Sequence, residues 1–166
     1  MIAYIVFSST FAPPGTLVVR AGSDGSPLSV TFSLQGVQGS TPMNFSLSGG
    51  SYTVDFSNLT WYSSPSPVTI VVLSGQTAYA YGAYTPIPKA ISIANDAFNE
   101  SRVAVLHGVT PVTWVNRGEN AVALVGVGFP SVTIPPGGSR TYVFPSAGTY
   151  TIEIQGTSSY DTITAQ

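Results

Sequence analysis

The sequence predicts an all-β protein, with an apolar N-terminal strand followed by two small β-sandwich domains. Three observations carry this. No stretch repeats its apolar residues at a helical period. Short runs alternate apolar and polar side chains instead. Turn residues interrupt those runs about every 8 to 12 positions, the spacing of sandwiches and barrels. The chain has 166 residues, 43% of them hydrophobic, enough for one ordinary core or two small ones.

Taken in order, strands are predicted over 3–8, 16–21, 28–34, 43–48, 50–56, 68–73 and 76–83. Beyond Pro86 they follow over 90–94, 102–106, 112–116, 121–126, 131–134, 139–144, 148–155 and 161–164. Tyr52, Val54 and Phe56 point one way, Thr53 and Asp55 the other; Tyr150, Ile152 and Ile154 alternate in the same way with Thr151 and Glu153. That period of two marks strands buried on one face. Asp24-Gly25, Gly49-Gly50 and Gly137-Gly138 supply turn residues tolerant of positive φ. Pro135-Pro136 and Pro145 stop strands, because proline cannot donate to a ladder.

Two proline clusters divide the chain: Ala12-Pro13-Pro14-Gly15 and Thr85-Pro86-Ile87-Pro88. They define an N-terminal strand and linker over 1–14, a first sandwich over 15–85 and a second over 86–166. The competing arrangement is one larger sandwich with a proline-rich crossover.

Composition restricts function. Charged residues make up 7%, with seven acids, five bases and a net charge of −2; a typical soluble protein has about a quarter. No basic patch is available to neutralise phosphates, so nucleic acid is not an expected partner. There is no cysteine, which removes disulfides, zinc thiolates, thiol catalysis and thiolate-bound copper. Three sequons, at Asn44, Asn58 and Asn99, point to N-linked glycans and an extracellular location. The longest apolar run, residues 1–7, is far below the ~20 residues of a membrane span. It also lacks the basic flank of a signal peptide, so the chain reads as a mature product.

Catalytic groups are sparse, and the expected answer is no enzyme and no cofactor. The sole histidine, His107, ends an apolar strand before Gly108, the position of a structural or surface residue. No motif frames a nucleophilic serine. The acids Asp24, Asp55, Asp96, Glu100, Glu119, Glu153 and Asp161 are scattered, with no spacing that argues for a glycosidase pair. Lys89, the only lysine, reads as a solvated linker residue; the competing role is an isopeptide crosslink to an Asn or Asp. Tyr79, Tyr81 and Tyr84 read as a strand face or an interface before they read as a sugar platform.

Each half carries a resemblance. Gly15-Thr-Leu-Val-Val, Ser40-Thr-Pro-Met, Leu47-Ser-Gly-Gly-Ser-Tyr-Thr-Val, Trp61 and Val68-Thr-Ile-Val-Val-Leu-Ser-Gly-Gln resemble PEGA-like domains, small surface-associated sandwiches. Pro111-Val-Thr-Trp-Val-Asn-Arg, Ile134-Pro-Pro-Gly-Gly-Ser-Arg-Thr-Tyr-Val-Phe and Ala147-Gly-Thr-Tyr-Thr-Ile-Glu-Ile resemble a cupredoxin. That resemblance puts Val122 near the first histidine ligand, Ile154 at the cysteine, and Thr157 and Tyr160 near the second histidine and the methionine. A blue-copper site needs imidazoles and a thiolate, so the resemblance implies the fold without copper.

Ile2, Tyr4, Ile5, Val6 and Phe7 form a strand with no charge. It can pair as an edge strand of its own domain, or complete the sheet of a neighbouring copy by donor-strand complementation. Three features favour the second. The proline linker is stiff and extended, the surface is charge-poor, and the whole ensemble resembles subunits of archaeal threads and bundling pili. That resemblance implies a secreted, glycosylated homopolymer of identical subunits with a role in adhesion. Burying those side chains would gain on the order of 10 kcal/mol gross at about 25 cal/mol per Å2, less ~1–2 kcal/mol per residue ordered. The alternative function is a monomeric extracellular carbohydrate-binding or adhesin module.

Overall fold

The computed structural model describes residues 12–166. The strand expected at Ile2, Tyr4, Ile5, Val6 and Phe7 lies outside the described residues. Within them the chain is all-β with no helix, and it divides into two compact units between Thr85 and Pro86.

The first unit holds β1 (Gly15–Ser23), β2 (Ser26–Pro27), β3 (Thr31–Leu34), β4 (Val37–Ser40), β5 (Met43–Leu47), β6 (Gly50–Phe56), β7 (Tyr62–Ser63), β8 (Val68–Val72) and β9 (Thr77–Ala83). In one sheet β1 is central. It pairs antiparallel with β5 and β2, and parallel with β9 from Thr16↔Thr77 to Gly22↔Ala83. The other sheet runs β4–β3–β6–β8, all antiparallel. Leu17, Val19, Phe32, Leu34, Val54 and Phe56 meet between the sheets; Val54 and Phe56 are on the face that the alternation marks. Gly82 of β9 lies against Phe56: a Cβ there would stand 2.8 Å from a ring carbon, so glycine is what lets the ring fill that gap.

The predicted strand over 28–34 forms only from Thr31. Buried Thr41 displaces its first residues from the ladder: the Val30 amide donates to Thr41 Oγ1 (3.0 Å), and that hydroxyl donates to the Leu28 carbonyl (2.7 Å). Asp24 (φ 47°), Gly25 (φ 81°) and Gly137 (φ 70°) adopt the expected left-handed turns, whereas Gly49 and Gly50 do not.

Past β10 (Thr85–Pro86) the second unit holds β11 (Lys89–Ala94), β12 (Ala97–Phe98), β13 (Arg102–Val105), β14 (Val112–Asn116), β15 (Val122–Gly126), β16 (Phe129–Ile134), β17 (Ser139–Tyr142), β18 (Gly148–Ile154) and β19 (Tyr160–Ala165). Its sheets run β12–β11–β14–β17 and β13–β19–β18–β15–β16. Trp114 is fully buried, edge-on to Phe129 at 5.2 Å and to Phe144 at 6.3 Å. Such aromatic contacts add to the burial of their area.

Asn116, also fully buried, closes β14. Its Nδ2 donates to the carbonyls of Asn120 (2.8 Å) and Ile134 (3.0 Å), and its Oδ1 accepts from the Gly118 amide (3.0 Å). Replacing it with alanine orphans those backbone groups, so Asn116→Ala is expected to destabilise the unit by about 2 kcal/mol. A urea titration with an unshifted midpoint would contradict this.

Candidate functional site

Among the described residues, the first unit presents two neighbouring strand edges that nothing blunts. Each of its sheets has four described strands: β4–β3–β6–β8 in one, and in the other β2, β5 and β9 all paired with β1. Among the described residues β9 pairs on one side only, through β1. Beyond that side, Val68 and Ile70 of β8 stay half-buried, as do Tyr52 and Ala78, all packed on the rim of the core. Val71 and Leu73 beside them are 59% and 61% exposed.

Proteins ordinarily protect edge strands with lysine, proline, inward charge or a bulge. β9 reads Thr-Ala-Tyr-Ala-Tyr-Gly-Ala and β8 Val-Thr-Ile-Val-Val; neither carries a charge or a proline. Alternation sends Ala78, Ala80 and Gly82 inward and Thr77, Tyr79, Tyr81 and Ala83 outward. Tyr79 is 62% exposed and Tyr81 51%, so these two form a solvent-facing pair. Tyr84 does not join them; it is buried, and its hydroxyl donates to the Ser57 carbonyl.

Asn44, Asn58 and Asn99 are all exposed. Asn44 lies on β5, at the opposite edge of the sheet that β9 closes. Asn99 is held by its Oδ1, which accepts from the Ser92 amide at 2.7 Å; that leaves its nitrogen, the atom a glycan would take. His107 is exposed, with Nδ1 2.6 Å from the Gln166 carbonyl oxygen.

Of the positions that the cupredoxin resemblance would assign to ligands, Val122 and Ile154 are core residues. The Thr157 hydroxyl donates to the Ile154 carbonyl at 2.9 Å and accepts from the Ser159 amide at 3.0 Å. Tyr160 is exposed. Among the described residues no three His, Cys, Asp or Glu side chains are grouped to hold a metal ion, and no helix is long and apolar enough to cross a membrane.

No protein-family model matches the chain, and no curated protein matches it. Solved structures do. The TIE protein of Bacillus anthracis is similar at 16% identity and a TM-score of 0.50, over 93% of this chain and 31% of that one. An amicyanin mutant with Cu(I) is similar at 17% identity and a TM-score of 0.43, over 48% of this chain and 82% of its own. A streptococcal ancillary pilin is similar at 12% identity and a TM-score of 0.38, over 96% of this chain and 60% of its own. At these identities the likeness is one of all-β architecture alone.

Sequence reasoning missed two features. It read the seven acids only as scattered, but Asp161 is fully buried. It placed Lys89 in a linker, but Lys89 opens β11 and pairs with Glu100 at 2.8 Å.

Proposed function

We propose that the chain is a non-enzymatic structural subunit of an extracellular filament. In this reading the apolar segment over 1–7 of one copy adds to the free edge of β9 in the next. The observation that carries it is a β9 with no charge or proline that, among the described residues, pairs on one side only, beside the half-buried side chains of β8. Such an edge is a template for another strand, and at seven residues it matches the length of the 1–7 segment. Head-to-tail addition is a heterologous contact, which propagates into open filaments. A glycan on Asn44 would shield the opposite edge of the same sheet and leave β9 as the point of growth.

A chain lacking residues 1–14 is expected to remain monomeric while the full chain polymerises. Light scattering and negative-stain microscopy would show it. Filaments from the truncated chain would refute the assignment. The exposed pair Tyr79 and Tyr81 supports a second reading, a monomeric carbohydrate-binding or adhesin module. Glycan binding by a monomer that forms no filaments would favour it.

A further inference from the structure

One end of the second unit gathers three functional groups that the filament reading leaves unused. Asp161 sits on β19 with Ile163 and Ala165, all on the inward face. It is 0% exposed, and neither carboxylate oxygen has a hydrogen-bond partner. Lys89 sits on β11 at the same parity as Ile91 and Ile93, which are inward residues of the opposing sheet. Glu100 lies just ahead of β13, whose parallel register with β19 begins at Arg102↔Thr162 and is extended by the Thr162 amide donating to the Ser101 carbonyl (3.1 Å). Glu100 Oε2 is 2.8 Å from Lys89 Nζ.

A buried carboxylate with no partner is strongly unfavourable, and folds retain one only under some compensation. Burial pushes the Asp161 carboxyl from 3.8 up to about 6, and the Glu100 charge adds to the rise. The Thr162 amide, the Lys89 charge and the Trp114 indole oppose it, although neither the amide nor the indole meets hydrogen-bond geometry. Facing sheets stand about 10 Å apart, a gap that a lysine stem and an aspartate side chain span between them. The Lys89 ammonium is held by a flexible four-carbon chain, and its charge is felt at the Asp161 carboxyl.

We propose that Lys89 and Asp161 are joined by an amide bond between their side chains, with Glu100 as the proton carrier. Glu100 accepts a proton from the Lys89 ammonium and frees the Nζ lone pair. Nζ attacks Cγ of the protonated Asp161 carboxyl, and an N–C bond forms. Glu100, now protonated, gives its proton to the departing hydroxyl and takes the surplus proton from nitrogen in exchange. The C–O bond breaks and water leaves. One ammonium and one protonated carboxyl become one amide, one water and one proton, which Glu100 holds and returns to solvent; no oxidant or reductant is needed. The bond ties the first strand of the unit to its last, whether or not the chain polymerises.

The test is the intact mass of the full chain, denatured, from a host that does not glycosylate it. The expected mass is short by one water, and proteolysis yields a branched peptide that joins Lys89 to Asp161. Lys89→Arg should restore the full mass. Asp161→Asn should lose one ammonia in place of water. Glu100→Gln should slow bond formation by about 100-fold. A wild-type chain at full mass overturns the proposal, as does a water loss that persists in Lys89→Arg; neither result depends on a variant folding.

Discussion

Replacing Trp114 with alanine lowers the stability of the second unit by about 3–5 kcal/mol, the usual penalty for deleting a buried large aromatic side chain. Trp114 is fully buried at the meeting point of β14 with Phe129 and Phe144, and Phe144 in turn lies 4.5 Å from Tyr150. The cavity would be walled by aromatic rings already fixed by edge contacts, so it has little room to collapse. Trp114→Phe retains much of the contact and should lose less than half as much. The chain has two tryptophans, and Trp61 belongs to the first unit. Fluorescence of Trp114 reports on the wild-type second unit, while circular dichroism follows the variants. A midpoint shift equivalent to less than about 1 kcal/mol would contradict the packing described.

The second large effect appears when the Asp161 carboxyl is kept free, as in Lys89→Arg. The folded carboxyl titrates at about 6 and the ordinary one at 3.8. Between these values the folded state holds the proton that the unfolded state has released, so stability falls as pH rises. It is greatest below about pH 4 and has lost on the order of 3 kcal/mol from this group by about pH 7. The charged neighbour Glu100 adds to the effect, and a cation at position 89 reduces it. In wild type the amide would consume the carboxyl, and this component of the pH dependence would be absent. Lys89→Arg combined with Asp161→Asn should be equally flat. A Lys89→Arg chain that gains stability from pH 4 to pH 7 through this residue would contradict the burial of Asp161.

Strand by strand, the fold was legible wherever one face meets a core. Gly50–Phe56 and Val112–Asn116 form with the bounds that the alternation predicts. Legibility failed where pairing is imposed by a neighbour. Ser26–Pro27 and Ala97–Phe98 are two-residue hairpin returns, set by left-handed Asp24, Gly25, Asn95 and Asp96. Val37–Ser40 has no buried residue and exists because β3 pairs with it after the positive-φ turn at Gln35 and Gly36.

The buried acid was missed for a different reason. Read as charge, Asp161 is one of seven scattered carboxylates; read by parity, it shares the face of Ile163 and Ala165, as Lys89 shares that of Ile91 and Ile93. That parity shows only once the strands are in place, because the predicted strand over 90–94 stops short of Lys89, which opens β11. What the linear pattern could not supply was that the two faces belong to opposing sheets, or that Glu100 pairs with Lys89. The edge of β9 that is unpaired among the described residues was equally hidden, because a strand's own residues do not name its neighbours.

The parallel pairing of β1 with β9 bears on how the first unit responds to pulling. β1 and β9 lie side by side and point the same way, from Thr16↔Thr77 to Gly22↔Ala83. A load entering at Gly15 and leaving at Ala83 therefore runs along the ladder in shear. The hydrogen bonds between the two strands must rupture together, whereas a hairpin pulled at its open end unzips them singly. Resistance to forced unfolding is set by the unfolding rate and not by equilibrium stability. A thread of such units would be mechanically tough even with modest thermodynamic stability.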